Sequence, residues 1–275
     1  LSNVPSITLN DGHTIPQLGF GVWQVSTEDI QPAVRKALEV GYRHIDTAAV
    51  YGNEEGVGAA IRESGVPREE LFITTKLWND RHGDVRAALS ESLERLGVDQ
   101  VDLYLTHWPV AGQNQHVQAW QQLEQVRAEG LTRSIGVSNH QRSHLTEILD
   151  QGSVVPAVNQ IEVHPTFTQS ELVDFNAEHG IVTEAWSPLG QAKDLESDAV
   201  VELARELGRT PAQVILRWHL QRGLVVFPKS ITPSRIEENF DVLDFELDEA
   251  ALARISGLDA GNRIGPDPDT FDVGA

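Results

Sequence analysis

The sequence predicts an α/β fold, a (β/α)8 TIM barrel with an N-terminal β-hairpin. Three observations carry that expectation. Eight short apolar segments recur along the chain, and most follow a glycine that ends a helical pattern. Each repeat is roughly 25–45 residues, the scale of a βα unit. The 275 residues hold a body of about 250 that suits eight such units around one core. Residues 1–275 therefore read as a single barrel domain, with 261–275 as an irregular tail rich in Gly, Pro and Asp. The rival is an open doubly wound sheet, whose fingerprint is Gly-x-Gly-x-x-Gly after the first strand. Gly19-Phe20-Gly21 begins that pattern, but position 24 is Gln24 and no helical pattern starts there.

The elements follow in order. Ile7-Thr8-Leu9 and His13-Thr14-Ile15 flank Asn10-Asp11-Gly12, a tight-turn signal for a hairpin. Residues 18–22 form the first barrel strand. Ser26 to Asp29 resembles a capping box, and Ile30, Ala33, Val34, Ala37 and Leu38 follow at helical spacing up to Gly41. The next strand is 42–46. Later strands lie at 71–76, 101–105, 132–137, 156–161, 181–186 and 224–227. Between them run helical patterns ending near Gly65, Gly97, Gly130, Gly180 and Gly223, and a further one at 140–149. Thr168 to Glu171 reads as a cap, and Thr210-Pro211-Ala212-Gln213 as a capping box with proline at the first helical position. Thr232-Pro233 opens one more helix.

Composition narrows the function. Asp and Glu number 41 against 21 Lys and Arg, a net charge of −20, which argues against binding nucleic acid or an anionic membrane. No cysteine is present, so disulfides, thiolate catalysis and Cys-ligated zinc are excluded. That composition is compatible with a cytoplasmic location. Methionine is absent too, and neither a signal peptide nor an apolar run of spanning length is recognised.

In a parallel barrel the active site forms at the C-terminal strand ends. Those ends carry Asp46 with Tyr51 just beyond, Lys76, His107, Ser138-Asn139, Asn159-Gln160, Trp186-Ser187 and Lys229-Ser230. Each alone has an ordinary explanation as a solvated cap or a packing group. Together they place a hydrogen-bonding or stacking group at nearly every end.

A phenol is a poor acid at neutral pH, and a nearby ammonium stabilises its anion. Lys76 can supply that ammonium, Asp46 can hold it, and a neutral His107 can donate to a substrate oxygen. The set suits carbonyl reduction, with Tyr51 protonating oxygen. No side chain here transfers hydride, so a nicotinamide cofactor is implied. Asn139 and Gln160 can hold its carboxamide with Ser138 beside them, and Trp186 can stack on its ring. Lys229, Ser230 and Arg235 surround the start of the helix after the last strand, a phosphate position. Two cations there suit a 2′-phosphate, hence NADPH/NADP+ over NAD.

These residues resemble the aldo-keto reductase family. Gly41 to Ala48 with Glu54, Val57 and Gly58 is similar to its N-terminal signature. Gly136-Val137-Ser138-Asn139 is similar to its middle motif, and Pro228-Lys229-Ser230 with Arg235, Glu238 and Asn239 to its C-terminal one. The resemblance runs from about Ile7 to Asp259. It implies Asp46, Tyr51, Lys76 and His107 as the catalytic tetrad. It also implies cofactor contacts from Ser138, Asn139, Gln160, Trp186, Ser187, Leu189, Lys229, Ser230, Arg235, Glu238 and Asn239, and a monomer. Lys76 to Asp80 and Leu216 to Gln221 resemble the prokaryotic 2,5-diketo-gluconate reductases. The segment after Pro109 and the C-terminal tail are short, and those loops shape specificity in relatives. Trp23, Trp78 and Trp108, with His107, are the expected substrate walls, suited to small aldehydes, α-ketoaldehydes and keto-sugars. Trp120 and Trp218 sit at helical spacing and are expected in the core.

Two rivals are kept in view. A cofactor-bound sensor or partner subunit would show a damaged tetrad or an added interaction segment. A metal-dependent hydrolase could use His107 and His164 with acids such as Glu162, but no tight ligand cluster such as His-x-His joins them. The expected metal set is none.

Overall fold

The computed structural model describes residues 4–274. Strands β1 (Ser6–Thr8) and β2 (Thr14–Pro16) pair antiparallel, with Ile7 opposite Ile15. Eight more strands follow: β3 (Phe20–Gly21), β4 (His44–Asp46), β5 (Phe72–Leu77), β6 (Val101–Thr106), β7 (Thr132–Ser138), β8 (Val158–Glu162), β9 (Val182–Trp186) and β10 (Val225–Val226). They lie side by side in chain order, each pair parallel.

The seam between β3 and β10 closes the barrel. Leu18 bridges Val226 in parallel, and the amides of Gly19 and Gly21 donate to Val226 O and Pro228 O at 2.7 and 3.3 Å. A Cβ on Gly21 would lie 2.5 Å from the Phe227 carbonyl oxygen, so close approach of the two backbones requires glycine there. The Gly19-Phe20-Gly21 run is thus a packing device of the seam.

Strand side chains alternate between two environments. Ile45, Ile73, Tyr104, Ile135, Val137, Ile161, Ala185 and Val226 belong to the large apolar cluster shared with the helices. Phe72, Leu103, Leu105, Val158 and Val225 form a second cluster with Leu9 and Ile15 of the hairpin. The hairpin therefore plugs the N-terminal end of the barrel. Leu9 and Ile15 are both buried, each contributing about 1.5–3 kcal/mol. On β5 and β8 the same face turns polar two residues further along: Phe72 gives way to Thr74 and Lys76, and Val158 to Gln160.

The helices are α1 (Ile30–Val40), α2 (Glu54–Ser64), α3 (Val85–Leu96), α4 (His116–Ala128), α5 (Arg142–Gln151), α6 (Ser170–Glu178), α7 (Asp198–Leu207), α8 (Pro211–Gln221), α9 (Pro233–Phe240) and α10 (Glu249–Ser256). The capping box before α8 forms as expected: Gln213 N donates to Thr210 Oγ1 at 3.2 Å, and Thr210 N to Gln213 Oε1 at 3.0 Å. Two expected caps differ. Asp29 N does donate to Ser26 Oγ, but in a turn, and α1 starts at Ile30. Thr168 donates its hydroxyl to Asp259 at 2.6 Å, leaving Gln169 at the cap of α6. Helices α7 and α10 escaped the sequence reading.

From Gly261 the chain has no helix or strand, and it crosses the C-terminal mouth. Ile264 N and Gly265 N donate to Glu162 Oε1 and Oε2 at 2.6 and 2.8 Å. Asn79 Nδ2 donates to Val273 O at 2.8 Å, and the Phe271 and Trp108 rings lie 4.3 Å apart. Among the described residues no helix is long and apolar enough to cross a membrane.

Candidate active site

Asp46 and Lys76 meet because β4 and β5 pair in parallel and both residues end the inward row. Lys76 Nζ lies 2.6 Å from Asp46 Oδ1 and donates to Thr47 O at 2.9 Å. Both side chains are buried, at 0% and 2% exposure, so the pair is strongly coupled. Burial penalises the ammonium, but Asp46, Tyr51 and Glu184 outweigh it and hold Lys76 above its ordinary value. Lys76 is therefore a fixed cation.

Tyr51 sits on the short 3-10 turn after β4, with its ring centroid 5.2 Å from Lys76 Nζ. Burial pushes its phenol above the usual value, while the charge of Lys76 works against the rise. The expected pull from Lys76 is present, but desolvation outweighs it and the net shift is upward. Tyr51 is thus a protonated phenol at neutral pH.

His107 stands edge-on to the Tyr51 and Trp78 rings, at centroid distances of 5.8 and 5.1 Å. Burial, helped by Lys76, pulls its imidazole well below its ordinary value, so the ring is neutral. Its backbone carbonyl accepts from Asn139 Nδ2 at 3.0 Å.

The rest of the rim is a connected polar network. Ser138 Oγ donates to Gln160 O at 2.8 Å, and Asn139 Nδ2 also reaches Ser138 Oγ at 3.2 Å. Trp186 Nε1 donates to Asn139 Oδ1 at 2.8 Å, which fixes the indole plane. Asn139 adopts φ +61, a left-handed conformation that asparagine tolerates and that turns its amide toward both neighbours. Gln160 Nε2 donates to Asp46 Oδ2 at 2.8 Å and to Glu184 Oε2 at 2.6 Å.

The candidate phosphate residues stand around the start of α9. Lys229 and Arg235 are exposed, Ser230 is buried, and Ser230 Oγ accepts from Thr232 N at 3.1 Å ahead of α9. Among the described residues neither cation is paired with a carboxylate. Ser187 and Leu189 are half-buried after β9. Asn239 is buried, and Glu238 accepts from Thr210 Oγ1 at 2.8 Å, tying α9 to α8. Of the proposed substrate walls, Trp78 is half-buried, Trp108 is buried against Phe271, and Trp23 is 44% exposed. Trp120 and Trp218 are core residues, each with its indole N–H bonded. A cavity of about 380 Å³ lined by Arg62, Arg68, Gly97 and Arg133 contains none of these residues.

His164 does not join His107. It is buried between two carboxylates, with Nδ1 and Nε2 each 2.9 Å from Asp194 Oδ2 and Glu162 Oε1. Among the described residues no group of three or more His, Cys, Asp or Glu is arranged to hold a metal ion. The sequence reading missed Glu184, which is fully buried beside Gln160. Its signal was present: an acid inside an apolar strand, two residues before Trp186 and so on the same inward face.

Residues 17–260 match the family described as the aldo/keto reductase family. The chain belongs to the aldo/keto reductase family. It is 54% identical over 273 residues to a protein of Escherichia coli named methylglyoxal reductase DkgA, covering 98% of this chain and 99% of that one. Among solved structures of the family, a mutant of Gox0644 in complex with NADPH is 43% identical, with a TM-score of 0.94 and coverage of 98% and 99%. A Bombyx mori aldo-keto reductase in complex with NADP is 39% identical, with a TM-score of 0.92 and coverage of 97% and 96%.

Proposed function

We propose that this aldo/keto reductase reduces small aldehydes and ketones, α-ketoaldehydes first among them, with NADPH as reductant. The observation that carries the reading is the buried Asp46–Lys76 pair, 2.6 Å apart, beneath a protonated Tyr51 with a neutral His107 beside it. Tyr51 gives its proton to the carbonyl oxygen. Lys76 stabilises the phenolate left behind, and Asp46 keeps Lys76 charged and in place. His107, neutral, donates to the same oxygen without competing for the proton. Trp23, Trp78 and Trp108 wall the mouth and favour small carbonyls.

The donor set fits the cofactor. Lys229 and Arg235 are unpaired cations at a helix start on a protein of net charge −20, which selects for a bound anion. Ser230, Glu238 and Asn239 flank them, and Ser187 and Leu189 line the approach from β9. Trp186, held by Asn139, offers a fixed indole face, and Ser138, Asn139 and Gln160 offer amide and hydroxyl groups to a carboxamide. When bound, NADPH supplies the hydride that the carbonyl carbon receives. The DkgA relationship and the aromatic mouth support α-ketoaldehydes. The absence of cysteine and the family likeness support a cytoplasmic monomer acting on a small-molecule substrate.

The test is NADPH consumption with methylglyoxal, an aromatic aldehyde, an aldose and 2,5-diketo-gluconate, with NADH in parallel. Tyr51→Phe should remove nearly all turnover while NADPH still binds. Near-normal turnover in that variant sinks the mechanism.

A further inference from the structure

Glu184 is an ionisable group inside the barrel that the reaction above leaves unused. It is fully buried on β9, in register with Gln160 on β8 and with the apolar Val225 on β10. Its Oε2 accepts from Gln160 Nε2 at 2.6 Å. The same nitrogen donates across the barrel to Asp46 Oδ2 at 2.8 Å. Glu184 Oε1 is buried without a hydrogen-bond partner among the described residues.

An amide nitrogen has two hydrogens, and both are committed here. Turning the amide over would press its carbonyl oxygen against the Asp46 carboxylate and would give up the bond to Glu184 Oε2, so the observed orientation is the one both carboxyl groups favour. The carbonyl oxygen is the part of Gln160 left for another partner. A carboxamide offers an N–H₂ to such an oxygen.

We propose that Glu184 is a positioning residue of this reductase: acting through Gln160, it locks the amide so that the oxygen faces the nicotinamide carboxamide, and it adds a switchable charge beside the Asp46–Lys76 pair. This rests on the reading of Gln160 as a carboxamide holder. Sequence spacing alone does not reveal it, because Gln160 and Asp46 are 114 residues apart.

The charge has a direction. Burial and the facing Asp46 carboxylate push the Glu184 carboxyl up to about 8, while the Gln160 bond and Lys76 pull the other way. At neutral pH the neutral form is favoured, and Oε2 accepts from Gln160. Above pH 8 it becomes a second buried anion facing Lys76 from β9, opposite Asp46 on β4. That anion strengthens the ammonium of Lys76 and opposes ionisation of Tyr51, which also faces Lys76.

Two variants test this. Glu184→Gln keeps an oxygen acceptor for Gln160 but cannot ionise. Glu184→Leu removes that acceptor, strands one Gln160 hydrogen and leaves the amide held by Asp46 alone. NADPH affinity is read from tryptophan fluorescence, and kcat and KM for methylglyoxal are read from pH 6 to 10. The expected result is an inflection near pH 8 in the wild-type kcat profile that Glu184→Gln lacks. Glu184→Leu should bind NADPH about tenfold more weakly than Glu184→Gln, the loss of one positioned hydrogen bond. Superimposable wild-type and Glu184→Gln profiles, or equal NADPH affinity in the two variants, overturn the proposal. If Glu184→Leu does not fold, the Glu184→Gln profile decides alone. Failure of the carbonyl-reductase reading looks different: the wild-type protein itself turns over none of the substrates, and the affinity comparison still judges Glu184.

Discussion

Replacing Asp46 by alanine should expose how the barrel interior holds its cation. Lys76 is 0% exposed, and its ammonium has two partners, Asp46 Oδ1 at 2.6 Å and Thr47 O at 2.9 Å. The variant removes the one that carries charge and also strands a Gln160 hydrogen that went to Asp46 Oδ2. Breaking a buried pair from one side costs about 3–5 kcal/mol. That is a large share of a stability of roughly 5–15 kcal/mol and corresponds to a fall in Tm of roughly 10 °C. The pH dependence identifies the cause. In the wild type Lys76 is held above its ordinary value, so its contribution is complete below the unfolded value and is lost only as pH rises through the higher folded one. In Asp46→Ala burial acts without Asp46, and folding must strip the proton. The Tm gap between the two proteins should therefore be wide at pH 7 and narrow as pH rises toward 10. Adding Lys76→Met to Asp46→Ala should recover part of the gap by removing the stranded charge. Turnover in Asp46→Ala should fall on the order of 10²-fold or more, because a neutral lysine no longer supports the Tyr51 phenolate. A gap that stays constant from pH 7 to 10, or a loss below about 1 kcal/mol, would refute the reasoning, since an uncompensated buried ammonium predicts neither.

Other outcomes follow from the same contacts. Burial holds His44 and His82 down to about 4 and His219 to about 3, all against an ordinary 6.5. The unfolded chain thus takes up protons first, and stability should fall as pH drops from 6.5 toward 4, by roughly 3 kcal/mol for His44 and again for His82; a Tm that is flat between pH 7 and 5 contradicts this. His164→Ala leaves Glu162 and Asp194 without the imidazole that bridges them, so Tm should fall and amide exchange at 264–265 should quicken, whereas unchanged exchange would show that Glu162 holds the tail without help. Lys229→Ala and Arg235→Ala should each weaken NADPH binding about tenfold and leave NADH almost untouched, and an equal loss for both nucleotides would remove them from the 2′-phosphate. Gly21→Ala should cost about 1–3 kcal/mol by forcing the β3–β10 seam apart, measured by denaturant unfolding; a neutral effect would mean the seam yields freely.

The site was legible in unequal parts. Asp46, Lys76 and Trp186 could be read from the chain because each ends a strand pattern, and Gln160 because it lies near the end of one. Tyr51 and His107 could be read because they stand just past a strand end. Helix α7 was overlooked although Ser197 and Gly208 stand at its ends, because Val200, Leu203 and Ala204 form only a short apolar stripe beside the stronger box at Thr210. Glu184 was hidden because a strand's middle was assumed to be apolar. The direction of the Tyr51 shift was missed because charge can be read from residue identity, while desolvation depends on what the fold packs around the ring.

The amino-acid sequence by itself determined the local alternation of strands, helices and glycine stops, and therefore the barrel and the row of groups at its C-terminal ends. Those patterns are set by neighbours a few residues apart. Only the tertiary structure decided that the hairpin plugs the floor, that the tail lies across the mouth, and that Gln160 bridges two carboxyl groups. Each of those contacts joins distant parts of the chain: Ile264 lies 102 residues beyond Glu162, and Gln160 lies 114 beyond Asp46. Such pairings depend on barrel closure and burial, which no periodicity along the chain encodes.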